Sequence, residues 1–483
     1  MDVSGPIDPG DPGRRGFERA AQPAGGRREC GHIDRATRVW PGGCGPEFIG
    51  YCGCPTDDRQ HCAGAGKARP AGGAPRGLFE LDRRSPPTDP IGPVRGGNPL
   101  LVGIVGGRLQ GVEAAYLARK AGWEIKVVDR KPSVAASKLG DSFVQADVTA
   151  ERDLDGALGG VDFVIPTLED DDALSTLTRW SRAAGVPLAF DPEAYALSSS
   201  KLKSARFFGE IGLPVPLAWP DCDFPVLAKP GRGSGSKGVR IFEDLNSMES
   251  EFPAEFPPSD WILEEFLDGS EHSLEVIGQP GDYRALQVTD LYVDENYDCK
   301  RVVAPSGLPP ELIADFEALS LTIAEALNLY GIMDVEVVHS RGELKVLEID
   351  ARLPSQTPTA VYWSTHQNMV ELLGDLYTAP KRDLPPLAPS PRGAVYEHIR
   401  VSRHGLEICG ERIMAEGGPL ELRRDFFGAD EAITNYAPDR DPWLATLIFS
   451  GANRREACEK RNRSVAEIVR RLELKGGPPA IIS

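Results

Sequence analysis

From Leu100 onward the chain alternates between unbroken apolar runs and stretches whose apolar residues recur at helical spacing. LLVGIV (100–105) is a strand-length apolar run, GGRLQG is a glycine turn, VEAAYLARKAG is amphipathic with the period of a helix, and EIKVVDR is a second strand. Strand, turn, helix and strand in that order make a βαβ unit of a parallel sheet. DSFVQADV, VDFVIPTLED, a helix through Trp180 to Ala184, and VPLAF continue the pattern, so a Rossmann-like unit is expected over 98–197. A helix after Ser198 (SSSKLKSARFFGEIG) ends at Gly212, and the strand FPVLAKP then presents Lys229. GRGSGSKG (231–238) follows as a glycine-serine flap, then the strands WILEEFL (261–267) and EHSLEVIG (271–278) and a long helix over 309–328. Two alternating runs, GIMDVEVVH (331–339) and ELKVLEID (343–350), are separated by Arg341 and Gly342 and read as a hairpin. Later strands such as GAVYEHIRV belong to a C-terminal extension. The expected class is α/β (α+β), with units at 98–197, 198–275, 276–384 and 385–483.

Residues 1–97 break this texture. They are rich in Gly, Pro and Arg, hold the single lysine Lys67, and show neither helical nor strand periodicity. Five of the nine cysteines lie there (Cys30, Cys44, Cys52, Cys54 and Cys62), with His32 and His61, but without two clean ligand pairs of a zinc finger. The segment reads as a disordered tail or as upstream read-through of a start near Asn98. The other four cysteines are scattered and suit a reducing compartment. Formal net charge is −18; with 14 Lys+Arg and 12 Asp+Glu in residues 1–97, the remainder carries −18 − 2 = −20. A body this acidic disfavours nucleic acid. The sequence has neither a membrane-spanning apolar run nor a secretory pattern.

Candidate chemistry gathers in the hairpin. Glu348, Asp350 and Arg352 occupy alternate positions and so share one face, and Glu336 in the partner run can join them. Carboxylates so placed demand cations, and the pattern reads as a magnesium-nucleotide site held by Glu336, Glu348 and Asp350. Lys201 and Lys229 would neutralise phosphate charge, and the flap, with Ser234, Gly235 and Ser236, would cover it. Adenine is expected along Glu264, Glu265, Phe266 and Leu267, with Asp268 or Glu271 on the ribose. Arg352 would stabilise the transferred phosphoryl or an acyl phosphate. A solvated acidic hairpin and an ordinary loop are the structural alternatives. The turn Gly106–Gly111 misses the G-x-G-x-x-G spacing of dinucleotide sites, although Asp129 ends the second strand as a ribose-binding acid would. No Ser-His-Asp or Cys-His arrangement stands out.

Residues 99 to 470 resemble the ATP-grasp superfamily of carboxylate–amine ligases, through VGIVGGRLQGVEAAYLARKAGW, VIPTLEDDDAL, VLAKPGRGSGSKGV, GIMDVEV and LEIDARLPSQTPTAVY. RLPSQTPT resembles the ligases of pyrrolysine biosynthesis in particular. Asp350 departs from the asparagine usual in the superfamily and adds negative charge at the metal site. The sequence reads as that of a soluble, cytoplasmic protein, and the resemblance implies an enzyme that uses ATP and Mg2+. It would activate the carboxylate of 3-methyl-D-ornithine, or of D-ornithine, as an acyl phosphate and join it to the ε-amine of L-lysine. Glu169, Glu271, Arg352, Ser355, Gln356 and Thr357 are the candidate substrate contacts, although Glu169 opens an acidic cluster that equally suits a helix cap. The sequence is compatible with a homo-oligomer. Another ATP-grasp enzyme, such as a purine-pathway carboxylase or a dipeptide ligase, is the near alternative. An NAD-dependent oxidoreductase and a catalytically silent nucleotide-binding protein are the alternatives from other classes.

Overall fold

The computed structural model describes residues 99–379, 392–473 and 481–482, apart from Ser234 and Ala254. All of these fall in the unit Arg69–Ser483. The cysteines and histidines weighed for zinc, and the 1–97 extension itself, lie outside the described residues.

The N-terminal layer is a four-stranded parallel sheet in the order β3-β2-β1-β4, made of β1 (Leu101–Val105), β2 (Glu124–Asp129), β3 (Ser142–Gln145) and β4 (Phe163–Pro166). Helices α1 (Leu109–Lys120), α2 (Glu151–Leu158) and α3 (Asp171–Ala184) connect the strands. Their buried faces explain the apolar strand runs, since a parallel sheet is covered on both sides. VPLAF forms only a parallel bridge, Val164 to Leu188, because Pro187 has no amide to donate. The glycine turn before α1 is closed on itself. A Cβ at Gly111 would lie 2.1 Å from the Gly106 carbonyl oxygen, and Gly106 has φ +107°. Asp129 accepts the amides of Gly107 (2.8 Å) and Lys131 (2.8 Å), so the acid that suggested a ribose contact instead braces this turn.

Helices α4 (Pro192–Ser198) and α5 (Lys201–Glu210) lead into a small antiparallel sheet, β6-β5-β7. It comprises β5 (Val226–Pro230), β6 (Arg240–Phe242) and β7 (Trp261–Glu265), with α6 (Leu245–Glu251) between the last two. The glycine-serine segment 231–238 links β5 to β6, as its composition predicts.

The large sheet begins with β8 (Ser270–Gln279), β9 (Asp282–Ala285), β10 (Thr289–Val293) and β11 (Cys299–Ala304). After α7 (Pro310–Leu327) come β12 (Gly331–Ser340) and β13 (Glu343–Asp350), then α8 (Thr357–Thr365) and α9 (Met369–Thr378). The C-terminal part adds β14 (Gly393–Ser402), β15 (Gly405–Ile408), α10 (Arg412–Glu416), β16 (Glu421–Phe426), β17 (Ala429–Thr434), β18 (Trp443–Gly451), α11 (Arg454–Glu473) and β19 (Ile481–Ile482). Among the described residues the main path runs β13-β12-β8-β10-β11-β14-β18-β17-β16. The extension is therefore hydrogen-bonded into the same sheet, through β11 and β14, rather than resting on it. No helix of the described residues is long and apolar enough to cross a membrane.

Candidate functional site

The β12–β13 hairpin turns through Arg341 (φ 55°) and Gly342 (φ 88°), the two positive-φ positions of the tight turn its sequence suggests. That turn sets the register. Glu336 faces Glu348 and Asp334 faces Asp350 across β12 and β13, while Glu336 faces Ser273 and Asp334 faces Glu275 across β12 and β8. Residues two apart share a face, so one side of the sheet carries two parallel rows, Glu348–Glu336–Ser273 and Asp350–Asp334–Glu275. Directly opposed side chains start about 4.5–5.5 Å apart, where like charges repel. Burial pushes Asp350 up to about 6 while Arg352 pulls it down; burial also raises Glu336, and raises Asp334 well above the carboxylate range. Glu275 is fully buried and pushed up to about 7 for the same reason.

Three cations answer these five carboxylates. Lys201, in the first turn of α5 behind the Ser200 cap, contacts Glu348. Lys229 on β5 is buried, with Nζ 2.7 Å from Glu264 Oε1 and 3.4 Å from the Leu347 carbonyl. Arg352 Nη2 lies 2.5 Å from Asp350 Oδ2 and 2.6 Å from Glu169 Oε1. Because Lys229 and Arg352 also serve Glu264 and Glu169, the rows have more carboxyl groups than cations; burial holds protons on Asp334 and Glu275, and a bound cation would favour their ionised forms. Among the described residues no three His, Cys, Asp or Glu side chains close on one point by themselves, since Lys201 and Arg352 take the outer carboxylates.

Of the residues expected to hold the nucleotide, Gly235 (φ 64°) and Ser236 (φ 53°) turn the flap in the left-handed region, while Ser234 lies outside the described residues. The amides of Glu265 and Phe266 donate to the carbonyls of Leu217 (2.8 Å) and Pro225 (3.1 Å), and the Glu265 carboxylate accepts the Leu217 amide. Leu267 is the linker position beyond those bonds. Asp268 is exposed, and its carbonyl accepts Ser340 Oγ at 3.0 Å. Glu271 is pushed up to about 7 by burial, with Glu336 adding to it.

Among the residues expected to contact substrate, Glu169 does not cap α3; Asp170 does, accepting the Ala173 amide, which leaves Glu169 turned to Arg352 and Gln110. Ser355 Oγ donates to Glu411 Oε2 at 2.7 Å. Gln356 sits at φ 73°, ψ −58°, spanned by a bond from the Thr357 amide to the Ser355 carbonyl (2.9 Å). That is a strained γ-turn, of a kind concentrated at functional sites. Gln356 Oε1, Thr357 Oγ1 and both Glu275 oxygens are buried without a hydrogen bond; the Thr357 hydroxyl is near enough to act on Glu275 without closing one. Sequence reading missed Glu113, Glu275, Asp334, Glu411 and Arg412. Asp334 and Glu275 carried a signal, alternation with Glu336 and Glu271 along their strands. Glu113, Glu411 and Arg412 carried none, since they reach the site from α1 and the C-terminal part.

An ATP-grasp domain model matches residues 198–356, the part that holds the flap and both carboxylate rows. The chain is 34% identical over 365 residues to 3-methyl-D-ornithine–L-lysine ligase of Methanosarcina mazei, covering 75% of this chain and 94% of that protein. It is 36% identical over 360 residues to the ligase of the same name from Methanosarcina acetivorans, covering 74% and 94%. Among solved structures it resembles the biotin carboxylase domain of Hydrogenobacter thermophilus 2-oxoglutarate carboxylase, determined with MgADP. There the TM-score is 0.59 at 16% identity, over 76% of this chain and 89% of that one, a likeness of fold. With its site built on the matched segment and its relatives aligned nearly end to end, this chain belongs to the ATP-grasp ligases, in the family of the 3-methyl-D-ornithine–L-lysine ligases.

Proposed function

We propose that the chain joins the carboxylate of 3-methyl-D-ornithine to the ε-amine of L-lysine at the expense of ATP, releasing ADP and phosphate. The observation that supports this most is the pair of carboxylate rows facing Lys201, Lys229 and Arg352. Glu336 and Glu348, with Asp350 beside them, would hold Mg2+, which neutralises phosphate charge when bound. Lys229 and Lys201 bind the phosphates, and the segment 231–238 covers them and excludes water. Attack of the substrate carboxylate on the γ-phosphate gives an acyl phosphate and ADP. Arg352 donates to the oxygens that gain charge as the phosphoryl group moves. The ε-amine then attacks the acyl carbon, the C–O bond to phosphate breaks, and the amine proton leaves to a carboxylate or to water. No covalent nucleophile of the protein is needed, because the phosphate is the leaving group and positioning does the rest. The buried Glu113, Glu275 and Asp334 and the half-buried Glu411 line the floor with carboxyl groups, which the ammonium groups of two diamino acids would draw into the ionised form.

The test is ADP release with Mg2+ and ATP while D-ornithine or its 3-methyl form and L-lysine are added singly and together, with mass detection of product. Full turnover that needs both, giving their condensate less one water, is the expected result. Cleavage triggered only by some other carboxylate keeps the ligase class and overturns these substrates.

A further inference from the structure

Arg412 enters the site from the C-terminal part, at the first position of α10. Its Nε and Nη2 are buried and donate no hydrogen bond, and its nearest carboxylate oxygen, Asp298 Oδ2, stands at ion-pair distance only, 3.7 Å from Nε. The flap lies against it: a Cβ at Gly235 would be 3.7 Å from Nε and 3.8 Å from Nη2. The side chain as a whole is 35% exposed, yet these two donors face inward, and buried donors left empty are costly unless an oxyanion completes them. Lys201, Lys229 and Arg352 each have a carboxylate within 2.7 Å or in direct contact (Glu348, Glu264, and Asp350 with Glu169), although Arg352 Nε also donates no hydrogen bond.

The surroundings of Arg412 say which oxyanion fits. Buried Asp298 accepts the Arg412 amide at 3.3 Å and is held beside Gly410, where any Cβ would lie 2.1 Å from its Oδ2. Glu411, the preceding residue, accepts Ser355 Oγ and so ties this corner to the loop just after Arg352. A guanidinium flanked by two carboxylates matches the α-carboxylate and α-ammonium of a free amino acid. Of the two substrates, the one that activates its own carboxylate must present it to the γ-phosphate, so its carboxylate is spent there. The nucleophile keeps its α-carboxylate. Five single bonds, roughly 6 Å when extended, separate its α-carbon from its reacting nitrogen.

We propose that Arg412 binds the α-carboxylate of the amine substrate, with Asp298 and Glu411 on its α-ammonium, and so makes the ligase select an amino acid rather than a simple diamine. The assignment rests on the ligase reading above. Its test compares L-lysine with cadaverine, the same chain without the carboxylate, in wild type, Arg412→Gln and Arg412→Lys, together with the KM of D-ornithine and the melting temperature. In Arg412→Gln the preference for lysine over cadaverine in kcat/KM should fall by about 10- to 100-fold, the scale of a lost charge-assisted contact. Arg412→Lys should restore part of it, because it keeps the charge and loses the fork. The KM of lysine should rise while that of D-ornithine stays within about twofold, a smaller change than one hydrogen bond brings. An unchanged lysine-to-cadaverine ratio, or a KM that rises for D-ornithine instead, overturns the assignment while leaving the ligase intact. Wild-type protein that forms no amide with lysine overturns the ligase reading itself and the assignment with it.

Discussion

Lys229 and Glu264 illustrate how much a single buried pair controls. Both are nearly closed to solvent and 2.7 Å apart, so truncating the lysine removes the proposed phosphate contact and strands a buried carboxylate. Lys229→Ala is expected to lower the rate of ADP formation by about 10²–10³, the scale seen when one preorganised donor is lost; wild-type turnover in that variant would remove Lys229 from the site. Glu113 and Glu275 set a pH response of the ligand-free protein. Burial pushes each up to about 7 from the ordinary 4.5, so the fold retains protons that the unfolded chain has already released. Stability from these groups is complete below about pH 4.5 and is lost as pH rises through about 7. His398, buried and pulled down to about 3 from 6.5, acts in the opposite sense, but only below about pH 6.5. Between pH 6.5 and 8 the melting temperature should therefore fall, by about 1–2 °C for each kcal/mol lost in a chain of this size, and Glu113→Gln should flatten the slope. A profile unaffected by the substitution would show that Glu113 does not titrate there.

At the scale of elements, the flap depends on how its root is pinned. Gly231 donates to the Asp260 carbonyl at 2.8 Å and accepts the Lys201 amide at 3.0 Å, joining β5, the approach to β7 and the start of α5. A Cβ there would meet Leu202 Cδ1 at 2.7 Å and the Asp260 oxygen at 2.8 Å. Gly231→Ala should shift the flap against Lys201 and lower kcat/KM for ATP by about 10- to 100-fold, since displacement of about 1 Å costs up to that much. Retained ATP kinetics would show that the flap closes independently of its root. The hairpin β12–β13 is the other decisive element, because a slip of one residue in its register would turn every carboxylate to the opposite face.

At the scale of the whole molecule, the C-terminal part is joined to the N-terminal layer by a buried polar contact. Glu431 on β17 accepts Tyr116 Oη at 2.6 Å and Lys120 Nζ at 2.7 Å, both from α1. Glu431→Ala would leave the Lys120 ammonium buried and should cost about 3–5 kcal/mol, read as a lower melting temperature with substrate KM values unchanged. A rise in KM would show that the junction shapes the site as well. The curated relatives align with 75% of this chain while covering 94% of their own length, and the described strands and helices start at Leu101. Protein lacking residues 1–97 is accordingly expected to keep wild-type turnover, and loss of turnover would make that segment part of the enzyme.

Local pattern determined a good deal without any structure. The apolar runs of β1 and β4, the Arg341–Gly342 turn, the glycine flap and the alternation of Glu348, Asp350 and Arg352 are all local signals, because strand period, turn conformation and helix period are properties of a few successive residues. The family resemblance was legible for the same reason, its phrases being contiguous. Only the tertiary structure decided what lies across from what. Glu275 opposite Asp334, Asp129 bracing the glycine turn where its position suggested a ribose contact, Asp170 taking the cap and freeing Glu169 for Arg352, and Arg412 arriving beneath the flap all depend on strand register and on elements far apart in the chain. Burial and like-charge proximity, which set how these carboxylates ionise, arise when the layers close on one another.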